Sequence, residues 1–61
     1  MMVGMKLQDT DTGEQFEIIR IQYPPKGSAH PIPVIFTRSL RDGREYEHFQ
    51  DELENDGYKL A

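Results

Sequence analysis

The sequence predicts a small α+β domain, in which one C-terminal helix packs on one face of a three- to four-stranded antiparallel sheet. Apolar residues alternate with period two through the first 40 residues, and helical spacing follows residue 41. Clusters of Gly, Pro and Asp separate these segments. The chain of 61 residues is at most one domain, 1–61. The expected order is β-β-β-α, with a short final strand over 58–61 as a variant.

Alternation and turn chemistry define the strands. Val3, Met5 and Leu7 share one side of the first segment, and the second is rich in β-branched and aromatic residues. A loop over 24–31 contains Pro and Gly, which interrupt a sheet ladder. Residues 1–4 are expected to be disordered. The expected strands are residues 3–7, 14–23 and 32–40.

The second strand has apolar residues on both faces. Phe16 and Ile18 point to one side, whereas Ile19, Ile21 and Tyr23 point to the other. Either a bulge near Ile18 and Ile19 switches the facing, or an apolar strip is left for a partner or a second copy. The strip Ile19, Ile21 and Tyr23 is therefore one candidate partner-binding surface.

Residues 41–57 predict the helix. Asp42 and Glu45 have the spacing of a capping box, and Gly57 has the position of a C-terminal cap. One apolar face is expected, because three residues recur at helical spacing. These residues are Tyr46, Phe49 and Leu53.

The predicted helix is strongly acidic. Residues 45–56 contain six acids and no Lys or Arg, and like charges at helical spacing are destabilising. Glu47, Asp51 and Glu54 would share one helical face. That face is either a solvated surface or a docking surface for a basic partner.

The stretch "DTDTGE", residues 9–14, gathers three carboxylates. A calcium loop of the EF-hand type needs an oxygen ligand at its fifth position, Gly at its sixth and Glu at its twelfth. Here those positions hold Gly13, Glu14 and Arg20. Asp and Thr stabilise turns, and Gly accepts a positive φ. The stretch therefore predicts a hairpin turn, and neither a metal site nor a cofactor is expected.

Basic residues suggest an alternative. Arg38, Arg41 and Arg44 recur at the junction before the predicted helix, and Lys26 lies in the Pro-rich loop. They could contact phosphates of a nucleic acid, or they could pair with nearby acids. The net charge of −4 disfavours broad nonspecific binding to nucleic acid.

Composition argues against several other classes of protein. The chain lacks cysteine, so thiol chemistry and Cys-based zinc sites are excluded. No apolar run reaches the length of about 20 residues that a membrane span needs, and no signal peptide is evident. A cytoplasmic location without membrane contact is expected. His48 and Glu52 are the main acid–base candidates, and they are expected on an exposed helix face.

These observations favour a non-catalytic binding or regulatory module that acts through protein–protein contact. Its partner would be another protein or a second copy in a homodimer. The alternatives are a nucleic-acid-binding module that uses the arginine junction, and a structural subunit that self-associates.

Overall fold

A computed structural model describes the whole chain, residues 1–61, as a five-stranded antiparallel sheet with one short helix. The elements are β1 (Lys6–Asp9), β2 (Gln15–Gln22), β3 (Val34–Ser39), β4 (Glu45–Phe49), α1 (Gln50–Asn55) and β5 (Tyr58–Leu60). The strand order is β4-β3-β2-β1-β5. Four strands form a meander, and β5 returns to pair with β1. The α+β class is confirmed, whereas the strand count is five and the helix is shorter than expected.

A bulge in β2 resolves the facing of its apolar residues. Ile18 pairs with Thr37, and Ile21 pairs with Ile35. Thr37 and Ile35 are two residues apart on β3, so they lie on one face, whereas Ile18 and Ile21 are three residues apart on β2. The register shifts between them, and Ile19 lies at the shift. Ile18 and Ile21 therefore lie on the same face of the sheet. Of the two alternatives, the structure shows the switch by a bulge, and Ile19, Ile21 and Tyr23 do not form a continuous strip on the other face.

The predicted helix over residues 41–57 is wrong for its first part. Tyr46 pairs with Thr37 and His48 pairs with Ile35, so residues 45–49 form β4. The sequence "EYEHF" fits period two as well as period 3.6, and pairing with β3 decides between them. Tyr46 therefore lies on a strand rather than on a helical face with Leu53.

The helix that remains, α1, has only six residues. Phe49 stands at its N-cap position and provides no side-chain hydrogen bond to the first turn. Gly57 follows the C-cap residue Asp56 and has φ of +83°, a conformation that glycine adopts without strain. The end of the predicted helix is thus confirmed, and its start lies at Gln50.

The core lies between α1 and one face of the sheet, which we call the inner face. Leu7, Ile18, Ile35 and Leu53 form one buried cluster, and Leu53 is the residue that α1 supplies. Only seven of the 61 residues are buried. Each fully buried aliphatic side chain contributes about 1.5–3 kcal/mol, so the loss of any one of the four is a large loss for this domain.

The sheet is curled, and aromatic rings close its open side. Phe16 of β2 contacts Tyr46 of β4 and Tyr58 of β5, with ring centroids 5.9 and 6.0 Å apart. His48 contacts the same two rings at 6.5 and 6.0 Å. The four rings therefore join the edge strands β4 and β5 on the inner side.

Candidate functional site

One edge of the sheet, along β4, has no neighbouring strand. The N–H of Ser39 donates to the C=O of Arg44 at 2.8 Å, and that of Gln50 donates to the C=O of Pro33 at 3.0 Å. Hydrogen-bonded pairs alternate with non-bonded pairs along an antiparallel ladder. The residues of β4 whose backbone groups point away from β3 are therefore Glu45, Glu47 and Phe49.

The free edge of β4 carries aromatic side chains and carboxylates together. Phe49 is 45% exposed and Tyr46 is 40% exposed. A groove at this edge is lined by one residue of β3, three of β4 and one of α1. We call it the edge groove, and its residues are Val34, Glu47, His48, Phe49 and Glu52. It brings two carboxylates beside an exposed phenyl ring.

An apolar surface continues from the edge groove over the outer face of the sheet, opposite α1. Phe49, Phe36 and Ile32 line a second groove together with the loop between β2 and β3. Tyr23 stands at the rim of this groove and is 68% exposed. The guanidinium of Arg20 lies 4.0 Å above the ring of Phe36 and covers part of this surface.

The predicted acidic helical face does not exist as a single helical face. Glu47 lies on β4, whereas Asp51 and Glu54 lie on α1. Glu54 accepts a hydrogen bond from the side chain of Gln50 at 3.0 Å. Among the six acids of residues 45–56, only Glu45 has an ion pair with a Lys or Arg side chain. The segment therefore keeps a negative surface, and Glu52 is the α1 acid that lines the edge groove with Glu47.

The predicted apolar strip on β2 is also divided by the fold. Ile21 packs against the core cluster, and Ile19 is half-buried beside the bulge. Tyr23 lies beyond the end of β2 and is the exposed member of the three. Of these residues, Tyr23 alone lines the outer-face groove.

The arginine junction is neutralised by carboxylates. Arg38 lies 3.5 Å from Glu45, and Arg41 lies 3.2 Å from Glu14. Arg44 lies 3.8 Å from a carboxylate of the same turn, that of Asp42. Lys26 lies in the loop between β2 and β3, at the other end of β3 from the turn that holds Arg41. The structure therefore does not gather the four basic residues into one surface.

The stretch "DTDTGE" is a hairpin turn, as predicted. Asp9 Oδ1 accepts a hydrogen bond from the N–H of Asp11 at 2.8 Å, and Thr12 Oγ1 accepts one from Glu14 at 3.2 Å. Gly13 has φ of +76° and donates to the C=O of Asp9 at 2.8 Å. The chain holds no group of three His, Asp or Glu side chains that could share a metal ion.

The turn between β3 and β4 has the same design. Its Gly43 has φ of +75° and donates to the C=O of Ser39 at 3.0 Å, and Asp42 Oδ1 accepts from the N–H of Arg44 at 3.0 Å. That backbone hydrogen bond is the main cause of the lowered pKa of Asp42. The Asp-Gly pair before "EYEHF" was the sequence signal for this hairpin, and it was interpreted as a helix start.

The predicted acid–base pair, His48 and Glu52, does not lie on one helix. His48 lies on β4 and Glu52 on α1, so they do not face each other across one turn of helix. His30 lies in the loop between β2 and β3, where its N–H donates to Ser28 Oγ at 3.2 Å. Neither histidine has a hydrogen bond from its ring to a carboxylate, which a general base would use for orientation.

No helix of this chain has the length and apolar character needed to cross a membrane. Comparison with protein-family models, with curated proteins and with solved structures finds no match.

Proposed function

We propose that this protein is a non-catalytic binding module that contacts a basic segment of a partner protein along β4. The free edge of β4, with Phe49 exposed beside the carboxylates of Glu47 and Glu52, is the observation that carries this proposal. Interfaces are centred on buried aromatic anchors, and an exposed ring at an open edge provides such an anchor.

The charge of this surface supports a cationic partner. Glu47 and Glu52 line the edge groove without a basic partner within this chain. Carboxylates at an interface attract and orient an oppositely charged segment, and they repel an acidic one. Lys or Arg side chains near an apolar residue are therefore the partner chemistry that this surface favours.

The shape of the surface supports binding rather than catalysis. Small-molecule sites are concave and enclose most of their ligand. The edge groove lies at the free edge of β4, and only five residues line it. Its single imidazole, from His48, packs between the rings of Tyr46 and Tyr58 on the inner side. A long partner segment fits such a surface better than an enclosed substrate does.

Selection from a displayed library of random peptides tests this proposal directly. We expect the selected peptides to be enriched in Lys or Arg near an apolar residue. Glu47→Lys is expected to weaken their binding about tenfold or more, because an attraction becomes a repulsion. Asp11→Lys is the matched control, since it changes the net charge equally in an exposed turn between β1 and β2. Peptides without basic enrichment, or equal weakening by both variants, would contradict the proposal.

A further inference from the structure

We infer that the basic segment binds as a sixth strand, antiparallel to β4, with basic residues at alternate positions. This inference rests on the proposed function, and it adds the conformation of the partner and the spacing of its side chains. Strand addition to an open sheet edge uses main-chain hydrogen bonds for affinity and alternate side chains for specificity.

The backbone of β4 has hydrogen-bonding groups that point to the free edge of the sheet. Glu45 and Glu47 turn both their N–H and C=O groups to the free edge, and Phe49, at the N-cap of α1, turns its N–H there. All three residues are exposed. Four strand pairs of this sheet are antiparallel, and β4 would extend the same ladder.

The side chains of the same three residues specify the partner. They lie on the outer face of the sheet, because Glu47 pairs with the outer-face residue Phe36. Residues directly opposite each other in an antiparallel pair lie side by side, and opposite charges there are stabilising. A partner strand therefore presents, from its N-terminus, an apolar residue against Phe49, a basic residue against the unpaired Glu47 and a second one against Glu45, which also lies 3.5 Å from Arg38. The resulting pattern is apolar-x-basic-x-basic.

In two registers, charge also argues against a second copy of this chain as the added strand. Antiparallel pairing of two β4 strands centred on Tyr46 places Glu45 of one copy opposite Glu47 of the other. Centring the pair on Glu47 places two identical carboxylates opposite each other. Like charges directly opposite are destabilising, and edge strands use them to prevent such pairing. A basic strand removes this repulsion.

The test uses the peptide acetyl-Thr-Val-Thr-Lys-Thr-Lys-Thr-amide and the whole chain labelled with nitrogen-15. Nuclear magnetic resonance titration gives the affinity, and amide hydrogen exchange reports new backbone hydrogen bonds. We expect new protection at the amides of Glu45, Glu47 and Phe49. The amides of Tyr46 and His48 already point to β3 and are expected to change little.

Two peptide controls isolate strand pairing from charge. The shuffled peptide acetyl-Thr-Thr-Lys-Lys-Val-Thr-Thr-amide has the same composition, and we expect it to bind about tenfold more weakly because the alternation is lost. N-methylation of the first Lys removes the donor that faces Glu47 and is expected to abolish binding. N-methylation of the Thr between the two Lys residues changes an amide that points away from β4, and binding is expected to persist.

The outcomes separate the two proposals. Binding that Glu47→Lys weakens, without new protection at Glu45, Glu47 and Phe49, would overturn strand addition and leave the proposed function standing. Equal binding of both peptides to the wild-type chain would also overturn it. No binding of either peptide would overturn both proposals. Protection of these amides that rises with protein concentration, without peptide, would indicate a second copy on this edge and would overturn the inference.

Discussion

The imidazole ring of His48 lies 6.0 Å from the phenol ring of Tyr58, although their strands lie at opposite edges of the sheet. The sheet curls far enough for the side chains of its two edge strands, β4 and β5, to meet. The ring of Phe16, on β2, also contacts Tyr58, with ring centroids 6.0 Å apart. α1 supplies only Leu53 to the core, and these rings connect β4 to β5 on the inner face.

Replacing Tyr58 by Ala is expected to destabilise the chain by about 2 kcal/mol, through lost ring contacts and lost apolar burial. Tyr58→Phe keeps the ring and is expected to change the free energy of unfolding by less than about 0.5 kcal/mol. Urea denaturation followed by circular dichroism measures both. Tyr23→Ala is the control, because this exposed ring has no aromatic partner. Equal effects at Tyr58 and Tyr23 would contradict the closure of the sheet by the four rings.

The pKa of Tyr58 reports on the burial of its ring in the same cluster. Burial raises the pKa of its phenol, and the carboxylates of Asp9, Asp56 and Glu14 add to the rise. A raised pKa in the folded state stabilises the chain below the unfolded pKa of about 10, and this contribution is lost as pH rises through the folded value. Subtracting the tyrosinate absorbance titration of Tyr58→Phe from that of the wild type isolates this group. An inflection at or below the ordinary pKa would contradict the burial.

The fold class followed from alternation in the first 40 residues, where the core face is strongly apolar. The bulge was one of two alternatives that the sequence left open, because Ile18 and Ile19 could not both face the core of a regular strand. The strand β4 was missed because its acids and aromatics satisfy both periods. An edge strand with one neighbour has few apolar positions, so its identity depends on pairing rather than on local sequence.

The candidate site could be predicted only in its chemistry. The excess of acids after residue 44 left a solvated surface and a docking surface for a basic partner as alternatives, and Glu47 lies in the edge groove. Its grouping with Asp51 and Glu54 was wrong, since it assumed one continuous helix. The open edge itself depends on strand order, which brings β5 beside β1 and leaves β4 with β3 as its single neighbour. No local pattern in the sequence encodes that order.

Two glycines with positive φ should respond differently to Ala. Gly43 has φ of +75° and open space around an added Cβ, so Gly43→Ala carries only the backbone strain of about 1–2 kcal/mol. Gly57 has φ of +83°, and its Cβ would meet Thr10 Oγ1 at 3.0 Å. That hydroxyl donates to the C=O of Gly57 at 2.6 Å and joins the β1–β2 turn to β5. Gly57→Ala is therefore expected to destabilise the chain more than Gly43→Ala in thermal unfolding. The reverse order would contradict the close approach of Thr10.

Removal of the two buried hydroxyls on β3 is expected to change the stability of the chain in opposite directions. Thr37 and Ser39 are each 1% exposed, but Thr37 Oγ1 has no hydrogen-bond partner. Ser39 Oγ donates to Glu14 at 3.0 Å and accepts from the N–H of Arg41 at 3.2 Å. A buried polar group without a partner costs about 1–3 kcal/mol, whereas a satisfied one contributes about 1 kcal/mol. Thr37→Val keeps the shape and removes the hydroxyl, so we expect it to raise the free energy of unfolding by about 1 kcal/mol.

Ser39→Ala is expected to lower the free energy of unfolding by a similar amount, because the amide of Arg41 loses its partner and Glu14 keeps only its ion pair with Arg41. Both values come from urea denaturation at one pH. Thr37→Ser separates the hydroxyl from the methyl group, since it keeps the unpaired oxygen and loses packing, and it is expected to destabilise the chain. Thr37 lies between its cross-strand neighbours Ile18 and Tyr46. Destabilisation by Thr37→Val would show that the hydroxyl forms a hydrogen bond in solution, and it would contradict the absence of a hydrogen-bond partner for Thr37 Oγ1.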